Sequence, residues 1–126
     1  MIVAKEYVQQ QIKIFKQRYE REQTFIDDYG FDFFIEDRLQ DAYKHYFMLR
    51  EFESILNEMV EYEGIAPNKE DVKKNLALTI KSYEKELLSG RVIPYSTSPM
   101  RNIKALWRYE LLPVICKEIR HIISLM

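Results

Sequence analysis

Seven carboxylates stand between residues 22 and 41: Glu22, Asp27, Asp28, Asp32, Glu36, Asp37 and Asp41, with Arg38 the one base among them. Phe25, Tyr29, Phe31, Phe33 and Phe34 are interleaved with them. Three chemistries suit such a stretch. The acids can cap a helix start, where the dipole favours negative charge. Aromatics ringed by acids also make a hot spot for a basic protein partner, such as one that grips nucleic acid. Cation binding is the third, but no calcium-loop spacing is present. The contact reading selects Asp27, Asp28, Tyr29, Phe31, Asp32, Phe33 and Asp37 as partner-binding residues.

Arg38 and His45 form the second candidate, seven positions apart on one helical face. The Arg-x6-His spacing resembles the Arg-x4-6-His motif of the HEPN helical ribonucleases. That resemblance implies a helical bundle in which Arg38 and His45 act on an RNA phosphate and the attacking 2′-hydroxyl. Leu39 stands where that family carries a polar residue, and the pair sits early in the chain. The alternative is a surface arginine and a partly buried histidine, which the residues favour. Glu58-x-x-Glu61 resembles half of the magnesium site of the all-α nucleotide pyrophosphohydrolases, but no later helix supplies the second acidic pair.

Cys116 and His121 lie five apart and project in different directions, so they make no nucleophile–base pair. Lysines of the third helical segment, with Arg91, Arg101, Lys104, Arg108, Lys117 and Arg120, could follow a phosphate backbone. Glu70, Asp71, Glu84 and Glu86 interrupt them. No phosphate loop, zinc spacing or cofactor signature is present, so no catalytic residue, metal or cofactor is expected.

The elements that must position these groups read as helices. Val8, Ile12, Phe15, Tyr19 and Ile26 recur at coiled-coil spacing, broken by Glu22. This predicts a first helix ending near Asp28 to Gly30. The second helix is predicted from an Asp32 N-cap to Gly64, as the long spine of the molecule, with a stripe at Leu39, Ala42, Tyr46, Leu49, Phe52 and Leu56. Tyr43, Phe47, Ile55 and Met59 widen that stripe enough for two neighbours. Asn68 caps a third helix, through Val72, Leu76, Ile80, Tyr83 and Leu87, that Ser89-Gly90 stops. Ser98-Pro99 opens a fourth, along Ile103, Trp107, Leu111, Ile115, Ile119 and Ile122. Pro113 points away from that stripe and predicts a kink or break between Tyr109 and Pro113. The expected fold is an all-α, four-helix up-and-down bundle with long first and second helices, in one domain over residues 1–126.

Length and composition agree. The chain has 126 residues, 47% hydrophobic and 31% charged, with three Gly and four Pro. That is globular composition with few breakers. Net charge is −1, which excludes a global pull toward nucleic acid or anionic lipid. Yet residues 1–63 carry eight basic and fourteen acidic side chains, and residues 64–126 eleven and six. No signal peptide or membrane-length apolar run is read, and the single cysteine suits a reducing compartment, so a cytoplasmic location is expected. The expectation for function is a small non-enzymatic interaction protein, an inhibitor or adaptor of the kind phages and mobile elements encode. It would meet a protein partner through the acidic aromatic stretch, and the heptad-like seams also suit a homo-oligomer. The alternatives are a nucleic-acid binder and a HEPN-like ribonuclease toxin.

Overall fold

The computed structural model describes the backbone of residues 1–35, 38–90 and 99–126, and the side chains of residues 1–24, 38–90 and 101–126. Four helices follow one another: α1 (Ile2–Ile35), α2 (Arg38–Met59), α3 (Lys69–Ser89) and α4 (Pro99–Ser124). The fold is an all-α four-helix bundle.

Short connections make sequential neighbours antiparallel. α1 packs chiefly on α2, and α3 chiefly on α4. The two hairpins join through α2 and α4, which run side by side across the centre. α1 and α3 are the outer pair and make no backbone approach to each other among the described residues. The α1–α2 register is fixed by aromatic contacts: Phe15 stacks on Phe52 at 5.8 Å between centroids, and Tyr19 meets Tyr46 at 5.6 Å.

The core lies where α2 and α4 meet. Phe52, Leu112, Ile115, Ile119 and Ile122 are fully buried there, with Met48 nearly so. α1 adds Ala4, Val8 and Phe15, and α3 adds Val72, Leu76 and Ile80. Most of these are positions that helical periodicity selects, whereas Ala4, Met48 and Leu112 lie off the predicted stripes and Ile103, on one, is 41% exposed. Asn68 caps α3 as expected: its Oδ1 accepts from the Glu70 and Asp71 amides at 2.8 and 3.3 Å. Gly90 ends the helix with φ 65°, and its amide reaches the Leu87 carbonyl.

Three boundaries differ from the sequence expectation. α1 does not stop at Asp28 to Gly30 but continues to Ile35, so Asp32 lies inside it rather than capping α2. One glycine within a helix costs only about 1 kcal/mol, and residues 2–35 hold no proline to enforce a stop. α2 ends at Met59, short of Gly64, and its 22 residues make it shorter than α4 with 26. Gly64 is used in a tight turn instead, with φ 77°. α4 runs through Pro113 as one helix. The ring is exposed, while Leu111, Leu112, Ile115 and Cys116 on either side are buried and hold both halves against the core.

Candidate functional site

The predicted contact residues Asp27, Asp28, Tyr29, Phe31, Asp32 and Phe33 lie on the last turns of α1. Their side chains, and Asp37 altogether, lie outside the described residues. An aromatic groove lies at the junction of α1, α2 and α4, close in sequence to these residues. Tyr19, Leu39, Tyr43, Tyr46 and Trp107 line it, with Gln23 and Lys104 at its edge, around a volume of ≈ 280 Å³. Tyr43 and Trp107 approach to 5.8 Å. Arg50 lies 5.4 Å from the Tyr46 ring centre, a cation–π distance. Tyr46 is 39% exposed, and burial pushes the Tyr43 phenol up from its ordinary value.

Periodicity assigned Tyr46 and Trp107 to the core stripes. Both remain partly open, at the edge of the groove. The signal was residue type: Tyr46 and Trp107 interrupt stripes otherwise made of Leu, Ile, Ala and Phe. Such residues bury a ring while keeping a polar atom wet.

His45 has a partner that the sequence did not indicate. Its Nδ1 lies 2.5 Å from Oε1 of Glu22, the residue that breaks the α1 seam. The two side chains are 17% and 16% exposed. The approach lacks hydrogen-bond alignment, so it acts as an electrostatic contact, and Glu22 Oε2 is buried without a hydrogen-bond partner among the described residues. Burial raises the Glu22 carboxyl above its ordinary value, against the opposing pull of His45. The Phe15 ring closes the other side of the imidazole at 6.0 Å. Arg38 instead lines a cavity of ≈ 370 Å³ with Arg21, Glu22 and Asp41, which places two bases opposite two acids. His45 does not line that cavity; Glu22 is common to the cavity and to the His45 contact.

A second polar seam crosses α2, α3 and α4. Tyr83 Oη donates to Glu51 Oε1 at 2.7 Å. Arg108 stacks over the Tyr83 ring at 5.6 Å and makes a two-pronged contact with Glu86 at 2.6 and 3.2 Å. Tyr109 Oη donates to the Leu87 carbonyl at 2.9 Å, which satisfies an end group of α3. Burial raises the Glu51 carboxyl above its ordinary value despite the bond from Tyr83 and the nearby Arg108 charge. Glu51, Glu58, Asn75, Thr79 and Tyr83 line a narrow cleft of ≈ 190 Å³ between α2 and α3.

The basic side of α3 and α4 is partly neutralised. Arg108 is tied to Glu86, and Arg120 to Glu84. Burial raises the Cys116 thiol, which disfavours the reactive thiolate. His121 packs edge-on against Tyr7 at 4.8 Å. Among the described residues, no three His, Cys, Asp or Glu side chains converge as a metal site, and no helix is long and apolar enough to cross a membrane. No protein-family model, curated protein or solved structure matches the chain.

Proposed function

We propose that the chain is a non-enzymatic interaction protein, an inhibitor or adaptor that works by protein–protein contact in the cytoplasm. The aromatic groove carries this reading. Tyr19, Tyr43, Tyr46 and Trp107 present half-buried rings around an open volume, the composition and geometry of an interface hot spot. The groove adjoins the sequence that supplies Asp27, Asp28 and Asp32, so a partner with a basic surface is favoured, among them proteins that handle nucleic acid. A phage or mobile-element origin fits the compact, Lys-, Glu-, Ile- and Tyr-rich composition. Homo-oligomerisation through the same groove belongs to this reading as well.

The test is a pull-down from host cytoplasm, with the mass and stoichiometry of the retained complex measured. The expected result is one stoichiometric basic protein, lost in Tyr46→Ser and in the combined Asp27→Lys, Asp28→Lys variant. Retention unchanged by both variants overturns the reading.

The Glu22–His45 contact favours a second reading, a ribonuclease-like site. A carboxylate beside Nδ1 is the neighbour that a proton-transferring imidazole has, and Arg38 and Arg21 line the cavity that the same carboxylate borders. RNA cleavage or toxicity that survives His45→Ala and Glu22→Gln eliminates it. The nucleic-acid-binding reading has less support, because Arg108 and Arg120 already hold carboxylates.

A further inference from the structure

The connection between α2 and α3 contains a built tight turn. Tyr62 and Ile65 exchange both backbone hydrogen bonds, N to O at 3.1 and 3.0 Å. Between them Glu63 and Gly64 take φ of 51° and 77°, the sign pattern of a type I′ hairpin turn. Gly64 adopts that conformation freely. Glu63 is the one non-glycine residue with positive φ among the described residues, at a cost of about 1 kcal/mol relative to an ordinary conformation. Strain held in place this way points to a use for the conformation.

The turn displays apolar surface. Two residues that exchange both hydrogen bonds place their side chains next to each other on one face. Here those side chains are Tyr62, 76% exposed, and Ile65, 73% exposed. The α1–α2 register, Phe15 against Phe52 and Glu22 against His45, brings the first turn of α1 level with this connection. Ile2 and Val3 are there, 76% and 59% exposed, and enlarge the apolar area at this end of the bundle. Glu61 and Glu63, both exposed, flank Tyr62, and residues 60–68 hold no Lys, Arg or His.

We infer that the Tyr62–Ile65 turn is a second contact site, at the opposite end of the bundle from the aromatic groove. Its occupant is a protein groove with an apolar floor and a rim of lysine or arginine. Tyr62 and Ile65 supply the anchor, and the two glutamates meet the rim and select against acidic surfaces. The fixed turn means that little ordering entropy opposes binding.

The test selects displayed random peptides against the immobilised intact protein. The expected peptides place an apolar residue beside lysine or arginine and bind more weakly as salt rises. Their affinity should fall about tenfold or more, the loss of a hot-spot anchor, in Tyr62→Ser with Ile65→Ser. It should fall comparably in Glu61→Lys with Glu63→Lys, which keeps the apolar pair. Both variants alter exposed side chains, so circular dichroism and Tm should stay near those of the parent. Three results overturn the inference: no apolar–basic consensus, equal binding to parent and both variants, or a self-associated protein that the Tyr62→Ser, Ile65→Ser change renders monomeric in sedimentation. The last would make a second copy of the chain the occupant.

Discussion

Tyr83 on α3 donates its hydroxyl proton to Glu51 on α2 at 2.7 Å, so two helices with few other contacts are joined by a half-buried carboxylate. Burial raises the Glu51 carboxyl above its ordinary 4.5. A carboxyl raised in the folded state stabilises the fold below its unfolded value and loses that contribution as pH climbs through the folded value. Glu51→Gln keeps an acceptor for Tyr83 without the charge. Its Tm should exceed that of the parent at pH 7, and the difference should close as pH falls toward 4. Tyr83→Phe should lower stability by about 1 kcal/mol, the usual net value of one hydrogen bond. Thermal melts across pH 4–8 check both.

Phe52 is fully buried between α1 and the α2–α4 core, stacked on Phe15. Phe52→Ala removes a ring that several helices surround. Destabilisation of about 3–5 kcal/mol is expected, with a large drop in the urea midpoint. A loss below about 1 kcal/mol would show that the α1–α2 seam is not packed on that ring.

Pro113 stands inside α4 with its ring exposed. It lacks the amide that would bond the Tyr109 carbonyl one turn earlier. Pro113→Ala restores that bond on a solvent-facing position. Stability should rise, by up to about 3 kcal/mol, the interior penalty of proline against alanine. A fall in Tm would show that the proline supports the local path of α4.

Glu63 and Gly64 give the α2–α3 turn a checkable energetic signature. Gly64→Ala should destabilise by about 1 kcal/mol, because alanine resists φ of 77° even though open space surrounds the position. Glu63→Asn should be neutral or stabilising, since asparagine is at home in that region. Equilibrium urea titration separates the two directions.

The stripes were the most legible part of the sequence. Val8, Phe15, Phe52, Leu76, Ile115 and Ile119 fall on periodic positions, and all are buried. Asn68 and Gly90 marked the two ends of α3, because cap chemistry is local. Gly30 misled, since a lone glycine can sit within a helix whose neighbours favour continuation. Gly64 misled in the opposite way, as its positive φ serves a hairpin turn five residues beyond the end of α2. The Glu22–His45 contact was not legible, because it joins residues on two helices whose register only packing fixes. The same holds for the groove, where Trp107 meets Tyr43 across 64 positions of chain.

Tyr7 bonds Glu118 at 2.6 Å, joining the first helix to the last across 111 positions. Burial and that bond push the Tyr7 phenol up to about 12, so it remains a donor throughout the neutral range. Closing so long a stretch costs more chain entropy than closing the α1–α2 and α3–α4 hairpins. The hairpins are therefore expected to form first, and the α1–α4 seam after the rate-limiting barrier. Tyr7→Phe should accelerate unfolding while leaving the folding rate nearly unchanged, which places this bond among the groups that set how long a folded molecule lasts.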